Sequence, residues 1–174
     1  METLLILSVS GWLHGNGIWT QQNSDARGSA RSRNTMGNEL ILKKLEQIKE
    51  LLSELERLLQ ASLEVFVKDL VAIRAAERNF QLAVDIASDI NTQILLQRGE
   101  KTPDTYRESF MALEKAAILP RDLTRRLMES AKVRNILVHE YDFEEDYEKF
   151  YHAARECIPA YREYTKVIYD YVRI

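Results

Sequence analysis

The chain has 174 residues, 45% of them hydrophobic and 29% charged, with a formal net charge of −3. That length supports one domain with a real core, and the balance is that of a globular chain rather than a disordered or membrane-spanning one. A single cysteine, Cys157, excludes an internal disulfide framework and a cysteine zinc cluster, and the slight acidity leaves any nucleic-acid contact to a local patch. No apolar run reaches the roughly 18 residues of a membrane span. The apolar stretch Met1 to Val9 carries Glu2 and no preceding basic residue, so it reads poorly as a signal peptide, and the expected location is the cytoplasm.

Five of the six glycines and both tryptophans fall within the first 37 residues. Residues 1–35 therefore read as a leader, a disordered tail or a start-site artefact ahead of Met36, and residues 36–174 as one helical domain. Beyond Asn38 only Gly99 and three prolines, Pro103, Pro120 and Pro159, interrupt the chain. Ile41, Leu45, Ile48, Leu52, Leu55 and Leu59, spaced by four and three, predict an amphipathic helix over 39–60. Leu63, Phe66, Leu70, Ile73, Phe80, Val84, Ala87, Ile90 and Ile94 predict one long second helix that stops at Gly99. Thr102, Pro103 and Asp104 supply an N-cap, an N1 proline and a dipole-favoured acid, predicting a third helix over 103–116.

A fourth helix starts after Pro120, buries Leu123, Leu127, Met128 and Val133, and should end near Val138. Asp142 and Glu145 have capping-box spacing ahead of a fifth, which carries Phe150, Ala153 and Ala154, runs towards Val172 and meets a kinking residue at Pro159. No strand alternation competes. The fold expected is an all-α antiparallel bundle of four to five helices.

Phosphate loop, dinucleotide fingerprint, HExxH, CxxC and nucleophile elbow are all missing, and no metal set pairs the three histidines, so no metal site is expected. What remains is RNILVHEY, Arg134 to Tyr141. On a continuous helix a five-residue step turns about 500°, leaving Arg134 and His139 about 140° apart. They converge more easily if the helix ends between them, after which an extended chain puts His139 and Tyr141 on one side. Histidine exchanges protons near neutral pH and arginine holds a phosphate as charge builds, which suits metal-free phosphodiester cleavage with the RNA 2′-hydroxyl as nucleophile. The plain alternative is that both residues cap a helix end. Arg121 to Val138 holds five basic residues against two acidic ones, either a phosphate-facing patch or a solvated face paired with the acidic run that follows.

RNILVHEY resembles the R-x4-H-x-Y pattern of the HepT toxin branch of the HEPN proteins. ERNFQLAVDIASDI, TPDTYRESFMALEKAAILP and RNILVHEYDF follow in the family's order and spacing, so the likeness covers about Met36 to Val172. It implies a dimeric helical ribonuclease toxin that cleaves cellular RNA without a metal or cofactor. Arg134 and His139 match the catalytic pair, and Asn135 the polar neighbour. It further implies an MNT-type nucleotidyltransferase antitoxin that transfers AMP from ATP to the motif tyrosine, here Tyr141, whose alternative role is packing.

Arg78 is read as a supporting residue, braced toward the site or engaged in a surface ladder with Arg74 and Glu77. Tyr147, Tyr151, Tyr161, Tyr164, Tyr169 and Tyr171 fit core and dimer packing better than base stacking. The rival function is a noncatalytic HEPN module that binds a nucleotide or the nucleotidyltransferase.

Overall fold

A computed structural model describes the backbone of residues 18–139 and 147–173 and the side chains of residues 36–137 and 147–173. Among the described residues there are six helices and no strand: α1 (Ile18–Leu58), α2 (Leu63–Phe66), α3 (Leu70–Gln97), α4 (Tyr106–Lys115), α5 (Arg121–His139) and α6 (Tyr147–Arg173). By contacts the chain divides into two units, Met1–Thr35 and Met36–Ile174, and the second carries the bundle.

The six apolar residues of the α1 stripe are all buried, as their spacing requires. The helical backbone of α1 begins at Ile18, upstream of the expected 39; no proline stands between 18 and 58 to stop it. The long second helix is a correction. It is two helices, because the Asp69 carboxylate accepts the Ala72 N–H at 3.0 Å and caps a new helix, α3, leaving Leu70 exposed in its first turn.

The end of α3 is as the sequence indicates. Gly99 takes φ 71°, and the bonds Glu100 N–H to Leu95 O and Gly99 N–H to Leu96 O close a Schellman turn. The expected cap at Thr102 is also corrected. Thr105 caps α4 by accepting the Glu108 N–H at 3.2 Å, and the Glu108 carboxylate accepts the Asp104 N–H at 3.0 Å. Pro103 therefore precedes the helix rather than opening it. The Asp142 and Glu145 capping box lies outside the described residues, and α6 continues through Pro159.

Side-chain bonds fix the directions of the four long helices. Lys44 pairs with Asp89 and Asn79 donates to Glu54, so α1 and α3 run antiparallel. Gly37 sits where a Cβ would lie 2.1 Å from Gln97 Nε2, so the α1 backbone passes close to the end of α3. Asn38 Nδ2 donates to the Val172 carbonyl and Tyr151 to the Ala61 carbonyl, placing α6 antiparallel to α1. Ser130 on α5 bonds to Tyr161 on α6 at 2.8 Å, and Arg134 on α5 reaches Asp85 on α3. The product is an up-down-up-down bundle, with α4 laid across the link from α3 to α5.

Its interior is mostly aliphatic, with Phe80 edge-on to Phe150 and Phe110 edge-on to Tyr164. Among the described residues, the buried Asn91, Ser109 and Tyr164 form one polar chain. Tyr164 Oη donates to Asn91 Oδ1 at 2.8 Å, Asn91 Nδ2 donates to Ser109 Oγ at 3.0 Å, and Ser109 Oγ donates to the Tyr106 carbonyl at 2.7 Å. This chain locks α3, α4 and α6 together. Tyr151, Tyr161 and Tyr164 are buried, which settles their role as packing residues.

Candidate active site

Arg134 lies on α5, where its backbone and the apolar residues Leu123, Leu127 and Ala131 hold the helix against the core. Its side chain is only 16% exposed and its Nε donates to Asp85 Oδ1 on α3 at 3.0 Å. The guanidinium lies over the ring of Tyr106, the first residue of α4, with 4.5 Å to the centroid. Three helices thus converge on one cation. Burial, then the hydrogen bond to Asp85 and that residue's charge, push the Tyr106 phenol above its ordinary pKa; nearby Arg134 opposes this in part. Tyr106 therefore stays protonated and able to donate to the Asp85 carboxylate.

Beside this cluster opens a cleft of about 340 Å³, lined by Ser88 of α3, Pro103 to Tyr106 at the start of α4, and Arg134 and Asn135 of α5. The lining is mainly polar, and among the described residues Arg134 is its one cation. Such a site can offer directed N–H donors to a phosphate while the ring of Tyr106 shields the guanidinium from water. A second groove of about 330 Å³, between the end of α1 and α6, is lined by Glu56, Leu59, Gln60, Arg155, Ile158 and Pro159. There Arg155 lies over the Tyr151 ring, 5.2 Å from its centroid, and donates to its hydroxyl, while Glu56 pairs with Arg162 rather than with Arg155.

The structure brings two of the sequence-derived residues together: Arg134 and Asn135 share the cleft. Arg78 is exposed on α3, two turns before Asp85 on the same helical face, and does not line the cleft. Its neighbours Arg74 and Glu77 form a 2.9 Å ion pair in which Glu77 is buried, so the pair is not the fully exposed ladder expected. The backbone of α5 stays helical through His139, one residue past the end expected near Val138. The His139 side chain and the whole of Tyr141 lie outside the described residues. No group of three His, Cys, Asp or Glu suited to a metal occurs among the described residues.

Sequence reasoning missed Asp85 and Tyr106. Asp85 sits between Val84 and Ala87 on the buried side of α3, so an acid at the edge of an apolar stripe was the available signal. Tyr106 follows the capping residue Thr105, a position whose significance depends on where α4 begins.

A family model described as ribonuclease HepT-like matches residues 48–168. A protein of Aphanizomenon flos-aquae described as tRNA nuclease HepT is 31% identical over 133 residues, covering 76% of this chain and 90% of that one. The tri-AMPylated HEPN toxin of Shewanella oneidensis, solved in complex with an MNT antitoxin, superposes with a TM-score of 0.67 at 23% identity, over 74% of this chain and 95% of that one. YutE of Bacillus subtilis, a cytosolic protein of unknown function, superposes with a TM-score of 0.65 at 17% identity, over 77% and 89%. No helix among the described residues is long and apolar enough to cross a membrane.

Proposed function

The chain belongs to the HepT-like ribonuclease family, and from that premise we propose that it is the toxin of a two-gene toxin–antitoxin system, an endoribonuclease acting on cellular RNA in the cytoplasm. The relative described as a tRNA nuclease supports the substrate class, and the solved HEPN toxin bound to an MNT antitoxin supports the partner. The observation that carries the reading is a guanidinium, Arg134, clamped by Asp85 and Tyr106 at a polar cleft, on the helix in which R-x4-H-x-Y begins.

In this mechanism the RNA phosphate next to the scissile bond is held by Arg134, with Asn135 as a neighbouring polar contact. His139 removes the proton of the 2′-hydroxyl or protonates the leaving 5′-oxygen. The 2′-oxygen to phosphorus bond forms as the phosphorus to 5′-oxygen bond breaks, giving a 2′,3′-cyclic phosphate and a 5′-hydroxyl. Negative charge builds on the nonbridging oxygens, where Arg134 stabilises it. Neither metal nor cofactor enters this scheme. A homodimer would set two motifs across one cleft.

Control follows from Tyr141. Its hydroxyl attacks the α-phosphorus of ATP in the nucleotidyltransferase, pyrophosphate leaves, the phenolic proton is lost, and an AMP phosphodiester remains on the toxin. That adds negative charge and bulk two residues from His139, competing with substrate for Arg134.

The deciding experiment incubates the protein with an MNT-type nucleotidyltransferase and ATP, maps AMP adducts by tandem mass spectrometry, and assays RNA cleavage in EDTA before and after. Adducts on Tyr141, absent from Tyr141→Phe, together with loss of EDTA-resistant cleavage, are expected. No cleavage before treatment and no adduct would replace this reading with the noncatalytic binding module.

A further inference from the structure

We propose that Asp85 is the positioning residue of this site: its carboxylate holds Arg134 by Nε against the ring of Tyr106, so that the terminal nitrogens of the guanidinium face the cleft where the phosphate binds. The inference rests on the ribonuclease reading above and adds to it a residue outside R-x4-H-x-Y.

Arginine has five N–H donors in a rigid planar fork on a long flexible stem. A free stem carries rotamer entropy that would be lost each time a phosphate is gripped. Here that ordering is done by the fold. Asp85 Oδ1 takes the Nε edge at 3.0 Å and the Tyr106 ring covers a face, so the donors still available are those on the terminal nitrogens. Arg134 lines the cleft itself, next to Asn135.

Both clamping residues are held in turn. Tyr106 packs under the Arg134 guanidinium, and the Asn91 to Ser109 bond pins α4 to α3, with Ser109 Oγ donating to the Tyr106 carbonyl. Asp85 is itself a third exposed, so solvent screens part of its charge. A carboxylate beside the phosphate-binding cation weakens ground-state attraction for RNA. Its contribution is therefore geometric and should appear in kcat rather than in KM.

The test uses the full chain, unfractionated tRNA as substrate, and EDTA throughout. Wild type and Arg134→Ala set the frame: a wild type that cleaves nothing ends the ribonuclease reading itself. Given cleavage, Asp85→Ala should lower kcat about 30- to 100-fold with KM within about threefold, as expected for a misplaced catalytic group. Asp85→Asn keeps an oxygen acceptor for Nε and should stay within about fivefold of wild type on the same reasoning. If the alanine variant does not fold, Asp85→Ser, which cannot reach Nε, replaces it in the comparison.

Independently of activity, the ¹⁵N-edited signal of the Arg134 Nε–H should be protected from exchange in wild type and Asp85→Asn and unprotected in Asp85→Ala. Wild-type kcat in Asp85→Ala, or a lower KM with faster cleavage in Asp85→Asn, would overturn the proposal. So would an Asn variant that fails to restore kcat while it still restores thermal stability.

Discussion

Arg134 shows how one residue acquires a task from its neighbours. On an isolated helix it would be one more basic side chain near a C-terminus, worth a few tenths of a kcal/mol against the dipole. Between Asp85 and Tyr106 it is a fixed donor. The proton-transfer role falls on His139 in the proposed mechanism. His139→Ala should lower turnover by roughly 10²- to 10⁴-fold while leaving the helical circular dichroism and the thermal midpoint unchanged. Measured on unfractionated tRNA in EDTA, full activity in a preparation shown free of contaminating nuclease would remove His139 from the mechanism. Arg134, Asn135, His139 and Tyr141 can be proposed from the chain alone because they stand together in it. Asp85 and Tyr106 were not, because they lie 49 and 28 positions from Arg134 and meet it only in space.

Caps and breaks decide the elements. The second predicted helix fails to run through because Asp69 offers a side-chain acceptor to Ala72 N–H, a local competition that the apolar stripe on either side does not register. The same contest moves the start of α4 from Pro103 to Tyr106, and with it the Tyr106 ring onto Arg134. Thr105→Ala removes that cap and should destabilise the protein by about 1 kcal/mol, read as a lowered urea midpoint at unchanged m-value. An unaltered midpoint would show that Glu108 alone holds the start of α4.

The other end of α4 carries a cost. Ala117 stands at φ 58° in the turn closed by Ala117 N–H to Glu114 O and Ile118 N–H to Leu113 O. Glycine takes that conformation without a Cβ penalty, so Ala117→Gly should raise stability by about 1 kcal/mol in the same denaturation series. A lower midpoint would mean that the methyl group packs usefully.

At the scale of the molecule, the buried tyrosines and cysteine couple folding to pH. Burial pushes the Cys157 thiol up from 9.0 to about 12 and raises the Tyr161 and Tyr164 phenols well above 10.0. In the unfolded chain these groups ionise near their ordinary values, so the unfolded state loses protons first as pH rises. Their contribution is fully present below pH 9 and diminishes above it, at up to about 1.4 kcal/mol per pH unit for each group that ionises only on unfolding. Equilibrium denaturation at half-unit steps from pH 8 to 11 should show stability falling from about pH 9, with Cys157→Ala flattening the first part of the fall. Constant stability to pH 11 would contradict the burial of all three.

By itself the sequence determined the all-helical class, the apolar faces, the stop at Gly99 and the short segment that bears the proposed chemistry. Each of these depends on residues within a few turns of one another, where helical period, capping and breaker residues act directly. Ile41 to Leu59 and Gly99 are cases in point. Only the tertiary structure decided which acid and which aromatic ring meet Arg134, and that a polar chain from Tyr164 through Asn91 to Ser109 holds α4 in place. Those pairings depend on the register between helices, which is set by how whole faces pack, and no local periodicity encodes it.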